Sequence, residues 1–183
     1  MSDGAAPKGS TVVIRPMQAE DLSQVLAIDQ ASFALPWPES AYRYELFDNP
    51  GSLLWVAEVT TPDGERQVIG MVVVWLILDE AHIATIAVHP QYRGQGVATK
   101  LLSTALIASI QREMRSATLE VRLHNLAAQR LYRRFGFEVA GSRPRYYRDN
   151  NEDALIMTVS PLNQAYREWL EREGWKNQDE QPF

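Results

Sequence analysis

The apolar positions along the chain change period several times, and each change marks an element. Val12 and Ile14 alternate among β-branched neighbours, which predicts a strand over Thr11–Pro16. Leu22, Val25, Leu26 and Ile28 recur at helical spacing behind acidic Glu20 and Asp21, so a helix is expected over Glu20–Ser32. Phe33-Ala34-Leu35-Pro36-Trp37-Pro38 cannot continue it, because each proline lacks an amide hydrogen and restricts the residue before it. A second helix is expected over Glu39–Asp48. Strands follow over Leu53–Thr60 and Val68–Leu78, joined by the turn Thr61-Pro62-Asp63-Gly64. The unbroken run Met71-Val72-Val73-Val74-Trp75-Leu76 marks a central strand covered on both faces.

A further strand is expected over Ala81–Val88, ended by His89-Pro90. A glycine-bearing turn leads into a long helix over Val97–Met114, with Leu101, Leu102, Ala105 and Leu106 inward. Thr118–Leu123 reads as another strand, and Asn125–Phe135 as a helix stopped by Gly136. Phe137–Val139 and Tyr146-Tyr147 flank the next strand, and Leu155–Val159 is the last. Pro161–Phe183 is expected to be a helix with a frayed end, with Tyr166, Trp169 and Leu170 docked on the body. Strand–helix alternation with a hairpin near each end predicts one mixed α/β sheet. The expected organisation is a flexible arm over residues 1–10, one domain over 11–160 and a helical extension over 161–183.

The 183 residues include no cysteine, which excludes disulfide frameworks, thiolate metal sites and a cysteinyl acyl-enzyme. The net charge of −5 argues against general nucleic-acid binding, which needs a basic footprint. No apolar run approaches the ~18 residues of a membrane span, and the first ten residues lack the apolar core of a signal peptide. A cytoplasmic protein with no membrane contact is therefore expected. The three histidines, His82, His89 and His124, lack metal-ligand spacing, so no metal is expected. The charge is unevenly spread along the chain. Residues 1–90 hold 4 basic and 12 acidic residues, residues 91–148 hold 11 and 3, and residues 149–183 hold 3 and 8. The middle is thus at +8, which suits an anionic ligand or is simply a solvated basic face.

Arg93-Gly94-Gln95-Gly96-Val97-Ala98 lies inside that basic stretch, between a strand and a helix. A helix N-terminus presents unpaired N–H groups and partial positive charge, and glycines let a phosphate approach the backbone. The turn alone is equally compatible with a plain connector. Together with Ile86-Ala87-Val88-His89-Pro90 before it and Leu101-Leu102 after it, the stretch resembles the acetyl-CoA motif of the GNAT acyltransferases. The family pattern Gln/Arg-x-x-Gly-x-Gly/Ala is met by Arg93, Gly96 and Ala98. The resemblance implies the GNAT fold, a mixed seven-stranded sheet flanked by helices. It also implies that the backbone of Ile86, Ala87 and Val88 pairs with pantetheine. The N–H groups of Arg93, Gly94, Gln95, Gly96, Val97 and Ala98 would then cradle the pyrophosphate.

Strand alternation puts Leu119, Val121 and Leu123 on one face of their strand, and Glu120 and Arg122 on the other. Glu120 is either an ion-pair member, with Arg122 or across strands, or a functional carboxylate. Asn125 suits a helix cap, and Tyr132 follows two turns later, either as a core-edge tyrosine or as a working hydroxyl. Amine attack on a thioester needs a base for the ammonium proton and an acid for the leaving thiolate, and a carboxylate and a tyrosine can serve. Leu119-Glu120-Val121-Arg122, Asn125, Ala127-Ala128, Leu131-Tyr132 and Phe135-Gly136-Phe137 resemble the ribosomal-protein-alanine N-acetyltransferase branch of the GNATs. That resemblance implies Glu120 as base, directly or through water, Tyr132 as acid and Asn125 as a cofactor contact. It further implies that Phe33, Pro36, Trp37, Tyr146 and Tyr147 flank the groove for a peptide N-terminus. Phe33 and Trp37 could equally form a small core under their loop, and strand alternation allows at most one of Tyr146 and Tyr147 to face the groove.

The expected activity is direct acetyl transfer from acetyl-CoA to a protein N-terminal amine, most simply an alanine of a small-subunit ribosomal protein, by a monomer. The alternatives are a GNAT acting on lysine side chains or small amines, and a non-catalytic acyl-CoA-binding module.

Overall fold

A computed structural model describes residues 11–176 and residue 182. The expected arm over 1–10 and the end of the tail therefore lie outside the described residues. Five helices and seven strands fall in the order β1 (Val13–Pro16), α1 (Leu22–Ser32), α2 (Glu39–Phe47), β2 (Ser52–Thr60), β3 (Arg66–Ile77), β4 (Glu80–Val88), α3 (Val97–Gln111), β5 (Ser116–Arg122), α4 (Leu126–Arg134), β6 (Glu138–Tyr147), β7 (Glu152–Val159) and α5 (Gln164–Glu171). The strands form one mixed seven-stranded sheet in the order β1-β2-β3-β4-β5-β7-β6. Residues 11–73 with 85–104 make one compact unit, and 74–84 with 105–176 make a second.

In the first unit β1 pairs antiparallel with β2, from Val13↔Glu58 to Pro16↔Trp55. Arg15 ties this edge to the start of α1: its guanidinium donates to Asp21 at 2.7 and 2.8 Å, and its Nε to Glu58 at 2.9 Å. Leu22, Val25 and Ile28 of α1 are buried, as the helical spacing requires. So is the run Ile69–Val74 in β3, apart from its glycine an apolar stretch, which fits a strand third from the sheet edge. The first turns of α3 bury Val97, Leu101 and Leu102.

In the second unit β4 begins parallel to β5, with Glu80–His82 against Ser116–Thr118. β5 pairs antiparallel with β7 from Ala117↔Val159 to Arg122↔Ala154, and β7 pairs antiparallel with β6. Ala105 and Leu106 of α3 are buried. The helix stops at Gln111 rather than Met114, where Glu113 takes a left-handed conformation (φ 63°). Leu119 and Val121 are buried as expected, but Leu123 is exposed, because β5 ends at Arg122 and the alternation ends with it. Tyr166, Trp169 and Leu170 of α5 are buried. The Tyr166 hydroxyl donates to the Phe135 carbonyl at 2.6 Å, and the Phe135 ring stacks on Trp175 and meets Trp169 edge-on. The extension thus docks on the C-terminal end of α4.

Candidate active site

The first unit carries the glycine turn expected to act as an anion cradle. Val88 ends β4, and its carbonyl accepts from Arg93 Nε at 3.0 Å, so the arginine braces the turn while its Nη2 reaches Ser32 Oγ at 3.1 Å. Gly94 and Gly96 both take left-handed backbone angles, with φ +75° and +79°, and open space lies where each Cβ would stand. The requirement for glycine here is therefore conformational, not a lack of room. The Lys100 N–H bonds the Gly96 carbonyl at 3.1 Å, closing the first turn of α3. The amides ahead of it at Val97, Ala98 and Thr99 have no intrahelical acceptor and sit at the positive end of the helix dipole. This geometry fits a pyrophosphate. Ile86 is half-buried and Ala87 and Val88 are buried near the end of β4.

The Pro-rich loop between α1 and α2 is anchored from below. Asp29 is buried, and its carboxylate accepts the Trp37 N–H at 2.6 Å and the Tyr42 hydroxyl at 2.8 Å. Burial outweighs these two bonds and pushes the Asp29 carboxyl above its ordinary range. The Trp37 ring packs on Tyr42 at 5.3 Å and is half-buried, whereas Phe33 and Pro36 are exposed. Trp37 is thus packed under its loop, and Phe33 stands at the surface.

The second unit holds Glu120, Asn125 and Tyr132. Glu120 lies mid-strand on β5 with its side chain only 10 % exposed. Its Oε1 lies 3.0 Å from Arg143 Nε in an ion pair, and its Oε2 lies 3.1 Å from His82 Nε2. The ion-pair reading therefore holds in its cross-strand form and not with Arg122. That side chain turns instead to the β6–β7 turn, where it donates to both oxygens of Asp149 at 2.9 and 3.0 Å and to Glu152 at 3.1 Å. The His82 ring stacks on Trp75 at 5.5 Å. His82 and Arg143 are the residues that sequence reasoning missed. In the sequence His82 is a lone histidine without metal-ligand spacing, and its position on β4 next to β5 is a pairing that spacing does not reveal.

Asn125 caps α4, its side-chain oxygen accepting the Ala128 N–H at 3.1 Å, which leaves the amide N–H2 as its available donor. Tyr132 is buried against Phe137, with ring centroids 5.9 Å apart. Its carbonyl accepts from both Phe135 and Phe137, which fixes its backbone at the helix end. Burial, with a smaller contribution from Tyr147, pushes the Tyr132 hydroxyl above its ordinary range and keeps it protonated.

The expectation that Tyr146 and Tyr147 point to opposite faces is overturned. β6 shifts register between Arg143↔Ala154 and Tyr147↔Glu152, and Arg145 sits there in a left-handed conformation, its N–H bonded to Asp153 at 2.7 Å. Such a bulge cancels strict alternation. The two rings meet edge-on at 5.2 Å, and the charge of Glu120 raises both hydroxyls, with burial the larger cause in each. Tyr147 is pushed up to about 12 and lies under the Arg122 guanidinium at 3.9 Å.

Comparison with known proteins agrees with this arrangement. A Bacillus subtilis protein provisionally named a ribosomal protein bS18-alanine N-acetyltransferase is 39% identical over 80% of this chain and 94% of its own length. The Escherichia coli K12 ribosomal protein bS18-alanine N-acetyltransferase is 32% identical over 80% of this chain and 95% of its own. The crystal structure of the E. coli ribosomal-protein-S18-alanine N-acetyltransferase superposes with a TM-score of 0.72, covering 82% of this chain and 94% of that one. Residues 22–137, which include the glycine turn, the mid-strand glutamate and the buried tyrosine, match the Acetyltransferase (GNAT) family, and it is to this family that the chain belongs.

Proposed function

We propose that this protein transfers the acetyl group of acetyl-CoA to the α-amino group of a protein N-terminus, and that its acceptor is the N-terminal alanine of ribosomal protein bS18. The observation that carries the reading is the set on β5 and α4: a covered carboxylate, Glu120, on the strand and a buried, protonated hydroxyl, Tyr132, on the helix that follows. The substrate class comes from the relatives that carry this activity in their names over nearly their whole length.

The roles divide by chemistry. The thioester supplies an activated acetyl carbonyl. The amides from Gly94 to Ala98 hold the diphosphate, that of Arg93 being bonded to the Pro90 carbonyl at 3.3 Å, and the strand end Ile86–Val88 offers backbone groups to the pantetheine arm. An α-ammonium has a pKa of ~7.7–8.0, so only about a tenth is neutral at pH 7 and a modest base suffices. Glu120 takes that proton, directly or through one water. Tyr132 donates to the departing sulfur, and the second proton, which the attacking nitrogen gives up as the amide forms, returns through water to Tyr132. The candidate peptide contacts are Phe33, Pro36 and Trp37 in the first unit and Tyr146 and Tyr147 in the second, and Asn125 offers its amide to the cofactor. One chain carries both residue sets, so a monomer suffices, and a ribosomal substrate places the reaction in the cytoplasm. Among the described residues, no helix is long and apolar enough to cross a membrane.

The test is incubation with acetyl-CoA and the bS18 N-terminal peptide, in free and N-terminally blocked forms, each containing lysine. Acetylation at the α-amine of the free peptide alone is expected. Modification of lysine in both peptides would move the substrate to the side-chain class, and acetyl-CoA binding with no product from any amine would leave a binding module.

A further inference from the structure

Glu120 has two cationic neighbours, and they differ in kind. His82 approaches Oε2 from β4, is itself well covered, and stacks on Trp75. Arg143 approaches Oε1 from the sheet-edge strand β6, makes a single contact through Nε, and is 55% exposed. Its guanidinium also stands 5.8 Å from the centre of the Tyr146 ring, which is itself 45% exposed. A carboxylate with a tyrosine ring beside it is what an ammonium ion needs: one ion pair and one cation–π face. At this site those two partners are already taken by a side chain.

We propose that Arg143 is a resident cation in the amine subsite, which the N-terminal ammonium of the peptide displaces from Glu120, so that Arg143 sets the threshold for substrate binding. The proposal rests on the reading of Glu120 as the residue that receives the amine. Two contrasts on the same sheet support displacement. Arg122 is held by Asp149 and Glu152 through three hydrogen bonds and lies over Tyr147 at 3.9 Å, so it is fixed. Arg143 has one ion pair, with its own side chain half exposed, and a distant ring, so it is held far less firmly than Arg122. When it leaves, His82 still engages Oε2 and keeps the carboxylate in place. The exchange is charge-neutral: one cation departs as another arrives, so Glu120 is never left uncompensated, which matters for a carboxylate this well covered.

The test is steady-state kinetics on the full-length Arg143→Gln and Arg143→Lys variants with the bS18 peptide at saturating acetyl-CoA. Arg143→Gln is expected to lower the peptide KM about two- to fivefold, the fold-change of a partly exposed ion pair, and by more than any change in kcat. Arg143→Lys, which restores a cation, is expected to return KM toward wild type. Millimolar guanidinium chloride is expected to inhibit Arg143→Gln competitively against peptide and more strongly than it inhibits wild type. An unchanged or raised KM in Arg143→Gln, with guanidinium inhibiting both proteins alike, overturns the proposal. Glu120→Gln separates the two readings. If it keeps wild-type turnover, the assignment of Glu120 itself fails. If it loses turnover while Arg143→Gln leaves KM unchanged, only the displacement fails.

Discussion

Tyr132 sits where a phenol is held in its neutral form, and that state can be tested by deleting one oxygen. Phenylalanine keeps the ring contact with Phe137 and removes only the donor. Tyr132→Phe is expected to lower kcat about a hundredfold, the low end of general-acid effects, with acetyl-CoA affinity within a few-fold of wild type. Steady-state rates and calorimetric titration check the two halves. Glu152 makes a different prediction. The His124 backbone N–H first, then the Asn150 and Arg122 side chains, hold its carboxyl down from 4.5 to about 2. A group lowered on folding stabilises above its unfolded pKa and loses that contribution as pH falls through the folded value. Thermal melts should therefore show wild type losing stability between about pH 4.5 and 2, with Glu152→Gln less affected over that window. Parallel acid limbs would contradict it. Glu120, Asn125 and Tyr132 could be picked out in the sequence because strand and helix periodicity fix where they stand on their own elements. His82 and Arg143 could not, since what brings them to Glu120 is strand order and a bulge, both tertiary facts.

The elements themselves followed from local signals, because strong apolar periods, prolines and caps act within a few residues. The strand and helix starts fall within two residues of expectation through the end of α4. β6 is the exception. Its interior, from Ala140 through Arg145, has little apolar content and is mostly exposed, so no period was present to read, and its bulge depends on pairing with β7. The glycine turn before α3 carries a prediction at this scale. Forcing a Cβ into a left-handed position costs roughly 1–2 kcal/mol, so Gly96→Ala is expected to weaken acetyl-CoA binding about tenfold by reorienting the amides. Unchanged affinity by calorimetry would show that the turn is only a connector. α5 carries another. Trp169 is fully buried beside Phe135 and Tyr166, so Trp169→Ala is expected to cost about 3–5 kcal/mol in denaturant unfolding.

Across the whole molecule, charge is unevenly divided along the chain. The segment with the glycine turn and α4 is basic, which suits phosphates, and the acidic segments on either side contain Phe33, Pro36, Trp37 and the end of the sheet. A cationic N-terminus from a basic ribosomal protein would then bind more weakly as salt rises, and the peptide KM should climb with ionic strength. The absence of cysteine is consistent with direct transfer, with no acyl-enzyme to trap. What periodicity could not supply is the acceptor, because substrate choice depends on loops and charges that no repeat governs. The most direct measurement is therefore made in the host cell: mass spectrometry of ribosomal-protein N-termini with and without this gene. The account predicts that bS18 loses the acetyl group on its N-terminal alanine in the deletion strain and regains it with wild-type protein but not with Glu120→Gln. An acetylated bS18 in the deletion strain would contradict it.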